Sequence, residues 1–70
     1  MLFERIRDLR EDHDKKQKEL AEYLGVQQNT YSDYETGKIN VPIEALIKLA
    51  DYYQVTLDYL VGREEPGKKR

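Results

Sequence analysis

Four amide side chains lie in the first half of the chain, one at Gln17 and three in a row at Gln27, Gln28 and Asn29. An amide such as that of Gln28 or Asn29 can form two hydrogen bonds with adenine, at N6 and N7, and each such pair discriminates between bases by roughly 1–3 kcal/mol. Gln17 stands where a helix is expected to begin, so its side chain and the free backbone N–H groups could bind one phosphate. Together these residues favour contact with nucleic acid, although each taken singly would be ordinary polar surface.

Other kinds of chemistry find no support in the sequence. The chain has no cysteine, and its single histidine, His13, has no second metal ligand three or four residues away. No glycine-rich phosphate loop and no recognisable pairing of a nucleophile with a general base is present. We therefore expect no enzymatic activity, no metal site and no cofactor, and we expect His13 to be exposed and without a role.

Hydrophobic residues recur at helical spacing and predict three short helices, of which the second and third carry the amides. The first helix should run to about Asp12, and the second should end at Gly25, because glycine accepts the left-handed conformation. The third should extend over about 27–36 and stop at Gly37, with most of its surface exposed. The residues that define the three apolar faces are Leu2, Ile6 and Leu9, then Leu20, Ala21 and Leu24, then Tyr31 and Tyr34.

Two further helices are predicted in the second half of the chain. Pro42 suits the first turn of a fourth helix, because a proline there loses no helical hydrogen bond. Thr56 is a good N-cap for a short fifth helix, which Gly62 should end. The apolar faces of these helices are expected at Ile43, Leu46, Ile47 and Ala50, and at Leu57, Leu60 and Val61.

Seventy residues provide one hydrophobic core, so we expect a single all-α domain over 1–62 and a flexible polar tail over 63–70. No apolar run approaches the length of a membrane span, and the charged start of the chain lacks the apolar stretch of a signal peptide. With the absence of cysteine, these features predict a cytoplasmic protein. The net charge of −2 is unfavourable for binding nucleic acid, so the local placement of lysines must decide the affinity.

The segment 17–36, QKELAEYLGVQQNTYSDYET, consists of two short predicted helices joined through Gly25. With this segment the chain resembles, from about Phe3 to Val61, the Cro and phage-repressor-like helix-turn-helix family, also called the xenobiotic-response-element family. The other positions that carry the resemblance are Leu9 and Arg10 and the segments 34–38, 49–53 and 57–62. The resemblance implies a five-helix, lambda-repressor-like domain that binds double-stranded operator DNA as a dimer, with the third helix in the major groove.

The resemblance also implies which positions meet DNA. Those that face bases match Gln28, Asn29, Ser32 and Asp33, to which we add the adjacent Gln27. Those that meet phosphates match Gln17, Thr30, Lys38 and Asn40, to which we add Lys16 and Thr36. Two residues depart from the family pattern. Asp33 puts a carboxylate where basic or neutral residues are common, so it would repel phosphate unless it accepts a hydrogen bond from cytosine N4. Lys16 replaces a hydroxyl N-cap.

Arg10 and Glu35 match positions that form an ion pair in the family, so we expect this pair to join the first helix to the end of the third. We expect a homodimer, because a short last helix cannot bury all of its apolar residues within one chain. The dimer surface is expected at Leu57, Tyr59, Leu60 and Val61. The function these expectations favour is sequence-specific regulation of transcription, by repression. The alternative is an antitoxin-like or adaptor module that binds a protein partner and binds DNA weakly, which the acidic net charge and Asp33 would suit.

Overall fold

A computed structural model describes residues 3–63 of the protein, which form five helices and, within that part of the chain, no strand. The helices are α1 (Glu4–Asp12), α2 (Gln17–Leu24), α3 (Gln28–Thr36), α4 (Ile43–Tyr53) and α5 (Leu57–Leu60). The predicted all-α fold and the order of its helices are confirmed. The predicted place of Leu2 and all of the predicted tail except Arg63 lie outside the described residues. In the part of the chain that is described, no helix is long and apolar enough to cross a membrane.

The helix ends follow local chemistry. α2 ends at Gly25 with φ +76° and α3 at Gly37 with φ +78°, a left-handed conformation that glycine adopts without steric cost. The Thr56 hydroxyl accepts a hydrogen bond from the backbone N–H of Tyr59 at 3.0 Å and caps α5, as predicted. Pro42, which was expected in the first turn of α4, instead occupies the N-cap position, one residue earlier.

Each helix contributes one fully buried side chain to a common core. From α1 to α5 these side chains are Ile6, Leu20, Tyr31, Leu49 and Leu60. Tyr34 is also buried, so the prediction that both tyrosines of α3 belong to the core is confirmed. Helices of this length are marginal on their own in water, so burial against one another stabilises them all.

The buried face of α4 differs from the predicted one. Ile43 and Ile47, which were expected in the core, are 57% and 48% exposed. The residues that α4 buries are Leu46, Leu49, Ala50 and Tyr53. Both sets have the same helical spacing and share two members, so the periodicity could not choose between them. α4 buries this side because α5 packs against α4 and His13, at the end of α1, contacts Tyr53.

The attachment of α5 corrects the predicted dimer surface. Leu60 is fully buried inside the chain, so its assignment to a subunit contact is wrong. Leu57, Tyr59 and Val61 are half-buried and pack against the core. The Arg5 guanidinium lies 4.5 Å from the centre of the Tyr59 ring and donates a hydrogen bond to the Tyr59 carbonyl oxygen at 2.9 Å. A short final helix can therefore bury much of its apolar surface within one chain.

His13 is exposed, as expected. The prediction that it has no role is wrong, because it makes packing contacts within the domain. Its ring centre lies 5.0 Å from that of Tyr53, and its Nδ1 lies 2.9 Å from the Leu9 carbonyl oxygen. The imidazole thus covers one side of a buried tyrosine and joins the end of α1 to α4.

Candidate nucleic-acid interface

The turn between α2 and α3 sets the direction of α3. After Gly25 reverses the chain, the Val26 N–H donates a hydrogen bond to the Ala21 carbonyl oxygen at 3.0 Å. Gln27 is extended, with φ −74° and ψ 155°, and forms the N-cap of α3. Ala21 is buried, and its small side chain allows the two helices to pack closely. The two helices and their turn form a helix-turn-helix.

The first turn of α3 is open to solvent. Gln28 and Asn29 are both exposed, as is Gln27 just before them. Ser32 and Asp33 follow Gln28 and Asn29 by four residues and therefore lie on the same side of the helix, where both are half-buried. We call these four residues of α3, at 28, 29, 32 and 33, the reading face. The opposite side of α3 holds the buried residues Tyr31, Tyr34 and Glu35.

Asp33 has two structural features that bear on this surface. Its backbone carbonyl oxygen accepts hydrogen bonds from the Lys38 N–H at 3.0 Å and from the Thr36 hydroxyl at 3.3 Å, which helps to end α3. Its carboxylate belongs to the reading face and gives that surface a negative charge.

The residues expected to meet phosphates surround the reading face in sequence. Lys16, Thr36, Lys38 and Asn40 are exposed, and Gln17 and Thr30 are half-buried. Lys16 is the N-cap of α2, but a lysine side chain has no acceptor for a backbone N–H. Glu19 compensates, since its carboxylate accepts the Lys16 backbone N–H at 2.8 Å. The start of α2 is thus capped from within the helix, and the Lys16 ammonium takes no part in it.

Gln17 belongs to a hydrogen-bond network that Glu35 forms on the buried side of α3. The expected ion pair is present: Arg10 Nε lies 2.6 Å from Glu35 Oε2, and Arg10 Nη2 lies 3.2 Å from Glu35 Oε1. Gln17 Nε2 donates a hydrogen bond to the same Oε1 at 3.0 Å, and Arg10 Nη1 donates to the Lys15 carbonyl oxygen at 3.0 Å. Neither of these last two contacts was predicted from the sequence. The one signal, which concerns Gln17, is that a buried carboxylate has more acceptor sites than one arginine fills.

The network keeps Glu35 ionised. Burial by itself would raise the pKa of Glu35, but the hydrogen bonds from Arg10 and Gln17 and the neighbouring Tyr31 hydroxyl outweigh it and lower the pKa below its ordinary value. Burial, and next the Glu35 carboxylate, raise the pKa of Tyr31 well above its usual range, although its hydroxyl makes no hydrogen bond of standard geometry. The charge of Glu35 is therefore balanced by Arg10 inside the domain.

The acidic residues of α1 precede the reading face by at least 16 positions in the sequence. Glu4, Asp8, Glu11 and Asp12 are exposed, and Arg7 pairs with Glu11 at 3.2 Å on the surface. At the start of α2, by contrast, Lys16 and Lys18 lie beside Glu19.

Among residues 3–63 no group of three or more histidine or acidic side chains could hold a metal ion.

A sequence profile of the family described as "Helix-turn-helix" matches residues 6–60. The chain therefore belongs to this family, in its Cro- and phage-repressor-like branch.

Three particular similarities stand out. The chain is 42% identical, over 93% of its length, to the cryptic phage CTXphi transcriptional repressor RstR of Vibrio cholerae, of which it covers 59%. It is 37% identical, over 97% of its length, to the HTH-type transcriptional regulator ImmR of Bacillus subtilis, of which it covers 54%. It thus spans somewhat more than half the length of these curated relatives. The P22 c2 repressor, solved in complex with a synthetic operator, superposes with a TM-score of 0.78 at 29% identity, over 91% of this chain and 98% of that one.

Proposed function

We propose that this chain binds a specific sequence in double-stranded DNA and represses transcription, with α3 in the major groove. The observation that carries the proposal is the exposure of Gln28 and Asn29 in the first turn of α3, while Tyr31 and Tyr34 hold that helix to the core. A helix with its side chains is about 10–12 Å wide, and the major groove is about 12 Å wide. The likeness to repressors, one of them bound to its operator, supports the same conclusion.

The residues divide by role. The reading face, with Gln27 before it, contacts bases: the amides of Gln28 and Asn29 suit adenine, and Asp33 suits cytosine N4. Contacts to phosphate hold the domain in register on the duplex without reading its sequence. The residues that make them are Lys16, Gln17, Thr30, Thr36, Lys38 and Asn40.

The proposal includes a homodimer that works in the cytoplasm by binding, without catalysis. Two copies of α3 placed about 34 Å apart would contact successive turns of one face of the duplex. The proposed contact between the two copies is made by Leu57, Tyr59 and Val61, because each of them is partly exposed.

Selection from a random pool of duplexes, followed by titration of the selected duplex across salt concentrations, tests the function. Each phosphate that the protein neutralises should make the slope of log K against log salt steeper by about 0.9. We expect a defined consensus and a steep linear loss. A pool that shows no enrichment and a flat salt dependence would refute the proposal.

The second candidate function is a protein-interaction module on the same fold, as in an antitoxin or an adaptor. The net charge of −2 and the carboxylate of Asp33 on the reading face favour it. It predicts weak DNA binding without a consensus, which the same selection distinguishes from sequence-specific binding.

A further inference from the structure

Gln17 is held in place before any DNA binds. Its side chain is half-buried, and its Nε2 donates a hydrogen bond to Glu35 Oε1 at 3.0 Å, across 18 residues of sequence. Glu35 is buried and ionised, so it is a strong and fixed acceptor. An amide nitrogen carries two hydrogens, and one of them therefore remains for a second acceptor.

The backbone that leads into α2 is tied to the same carboxylate. Arg10 donates to both oxygens of Glu35 and also, through Nη1, to the Lys15 carbonyl oxygen at 3.0 Å. Lys15 lies just before Lys16, the N-cap of α2. The Glu19 N–H bonds to the Lys16 carbonyl oxygen at 3.0 Å, and the helical pattern supplies no partner for the N–H groups of Gln17 and Lys18. Glu35 thus holds the Gln17 side chain directly, and through Arg10 of α1 it also fixes the backbone just before α2.

We propose that Glu35 is a positioning residue for phosphate binding, acting through Gln17. This inference rests on the proposed function. Glu35 sets the Gln17 amide with one N–H directed inward, so that the other N–H and the first backbone N–H groups of α2 are arranged to receive one phosphate. Arg10 cancels the negative charge of Glu35, so a phosphate approaching the same region meets no net repulsion from the buried pair. A pre-oriented side chain saves the entropy of ordering it on binding.

A double-mutant cycle on DNA affinity tests the proposal. The variants are Glu35→Gln, Gln17→Ala and the two combined, measured on a mixed-sequence duplex because phosphate contacts do not depend on bases. We expect Glu35→Gln to weaken binding roughly three- to tenfold in the unmodified chain. In the Gln17→Ala background the same change should have almost no effect. Glu22→Gln is the matched control, because it changes the charge equally at an exposed position of α2.

The outcomes separate the two proposals. Equal losses from Glu35→Gln in both backgrounds, with salt slopes unchanged, would show a merely structural role and overturn the positioning alone. An unmodified chain that binds neither this duplex nor a selected one overturns the proposed function, and the positioning with it.

A second measurement does not depend on the folding of the Glu35 variant. In the free unmodified protein, NMR relaxation of the Gln17 side-chain amide should show motion as restricted as that of the helix backbone, and its signals should shift when DNA is added. The exposed amide of Gln28 should be mobile in the same sample. Equal mobility of the two amides would overturn the proposal.

Discussion

For single residues, the proposed interface combines neutral amides assigned to bases with lysines assigned to phosphates. Gln28 lies on the reading face, whereas Lys38 is exposed just beyond the end of α3. Truncation of the two residues should therefore change DNA binding in different ways.

Gln28→Ala should relax base preference at one operator position by about 1–3 kcal/mol, because a bidentate contact is lost. Lys38→Ala should weaken binding to all sequences alike and reduce the salt slope by about one. Binding of both variants to a randomised operator pool measures the difference. If both variants lose affinity evenly across the pool, the assignment of these roles is wrong.

Asp33 is the residue whose charge is least suited to DNA. Asp33→Asn should strengthen binding to mixed-sequence DNA, because it removes a negative charge from the reading face. It should also abolish any preference for cytosine opposite this position. Titration of both proteins with operators that differ only at the facing base provides the measurement. A weaker affinity on every duplex would mean that the carboxylate itself makes a favourable contact.

At the scale of the helices, the Arg10–Glu35 pair joins α1 to the last turn of α3. Its side chains are only 15% and 3% exposed, whereas the Arg7–Glu11 pair of α1 is 65% and 52% exposed. The two pairs offer a comparison of buried and exposed ion pairs in one domain.

Arg10→Ala should lower the free energy of unfolding by about 3–5 kcal/mol, because it leaves the Glu35 carboxylate buried without its partner. Arg7→Ala should cost less than about 1 kcal/mol, as expected for a surface pair. Chemical denaturation followed by circular dichroism measures both. Similar midpoints for the two variants would contradict the structural role of Arg10.

The lowered pKa of Glu35 predicts a stability that depends on acid pH. In the unfolded chain the carboxyl has its ordinary pKa of about 4.5, and in the folded chain the pKa is lower. The stabilisation is therefore complete above the unfolded value and is lost as the pH falls through the folded one. Thermal melts between neutral and acid pH should show a decline in this range that Glu35→Gln reduces. A variant that declines as steeply as the unmodified chain would assign the effect to other carboxylates.

Across the domain as a whole, every helix supplies one fully buried side chain to the core, whereas Leu57, Tyr59 and Val61 at α5 are only half-buried. Three half-buried residues are few for a tight dimer, since a stable interface takes about 20–30 residues on each partner. We therefore expect weak association in free solution and pairing on DNA.

A duplex with two half-sites spaced by one helical turn should bind two copies cooperatively, and shifting one half-site by half a turn should abolish the cooperativity. Analytical ultracentrifugation with both duplexes measures the stoichiometry and the affinity. Independent binding of two copies at either spacing would exclude the proposed dimer.

Much of this architecture follows from local features of the chain. Gly25 and Gly37 end α2 and α3 because of their backbone conformation, and Thr56 caps α5 through a side chain three residues from its donor. The exposure of Gln28 and Asn29 follows in the same way, since they precede a core-facing tyrosine at a known helical angle. Such features involve residues within one or two turns of each other, so they can be read from the order of residues.

Other features depend on which surfaces meet. Ile43 and Ile47 have the same spacing as residues that α4 buries, yet they are exposed because the neighbouring helices cover a different side. Leu60 is enclosed by helices that precede it by many residues, and Gln17 meets Glu35 only because α2 and α3 pack together. Periodicity defines a set of possible faces, and long-range packing selects one of them because burial is favourable only where a complementary surface exists.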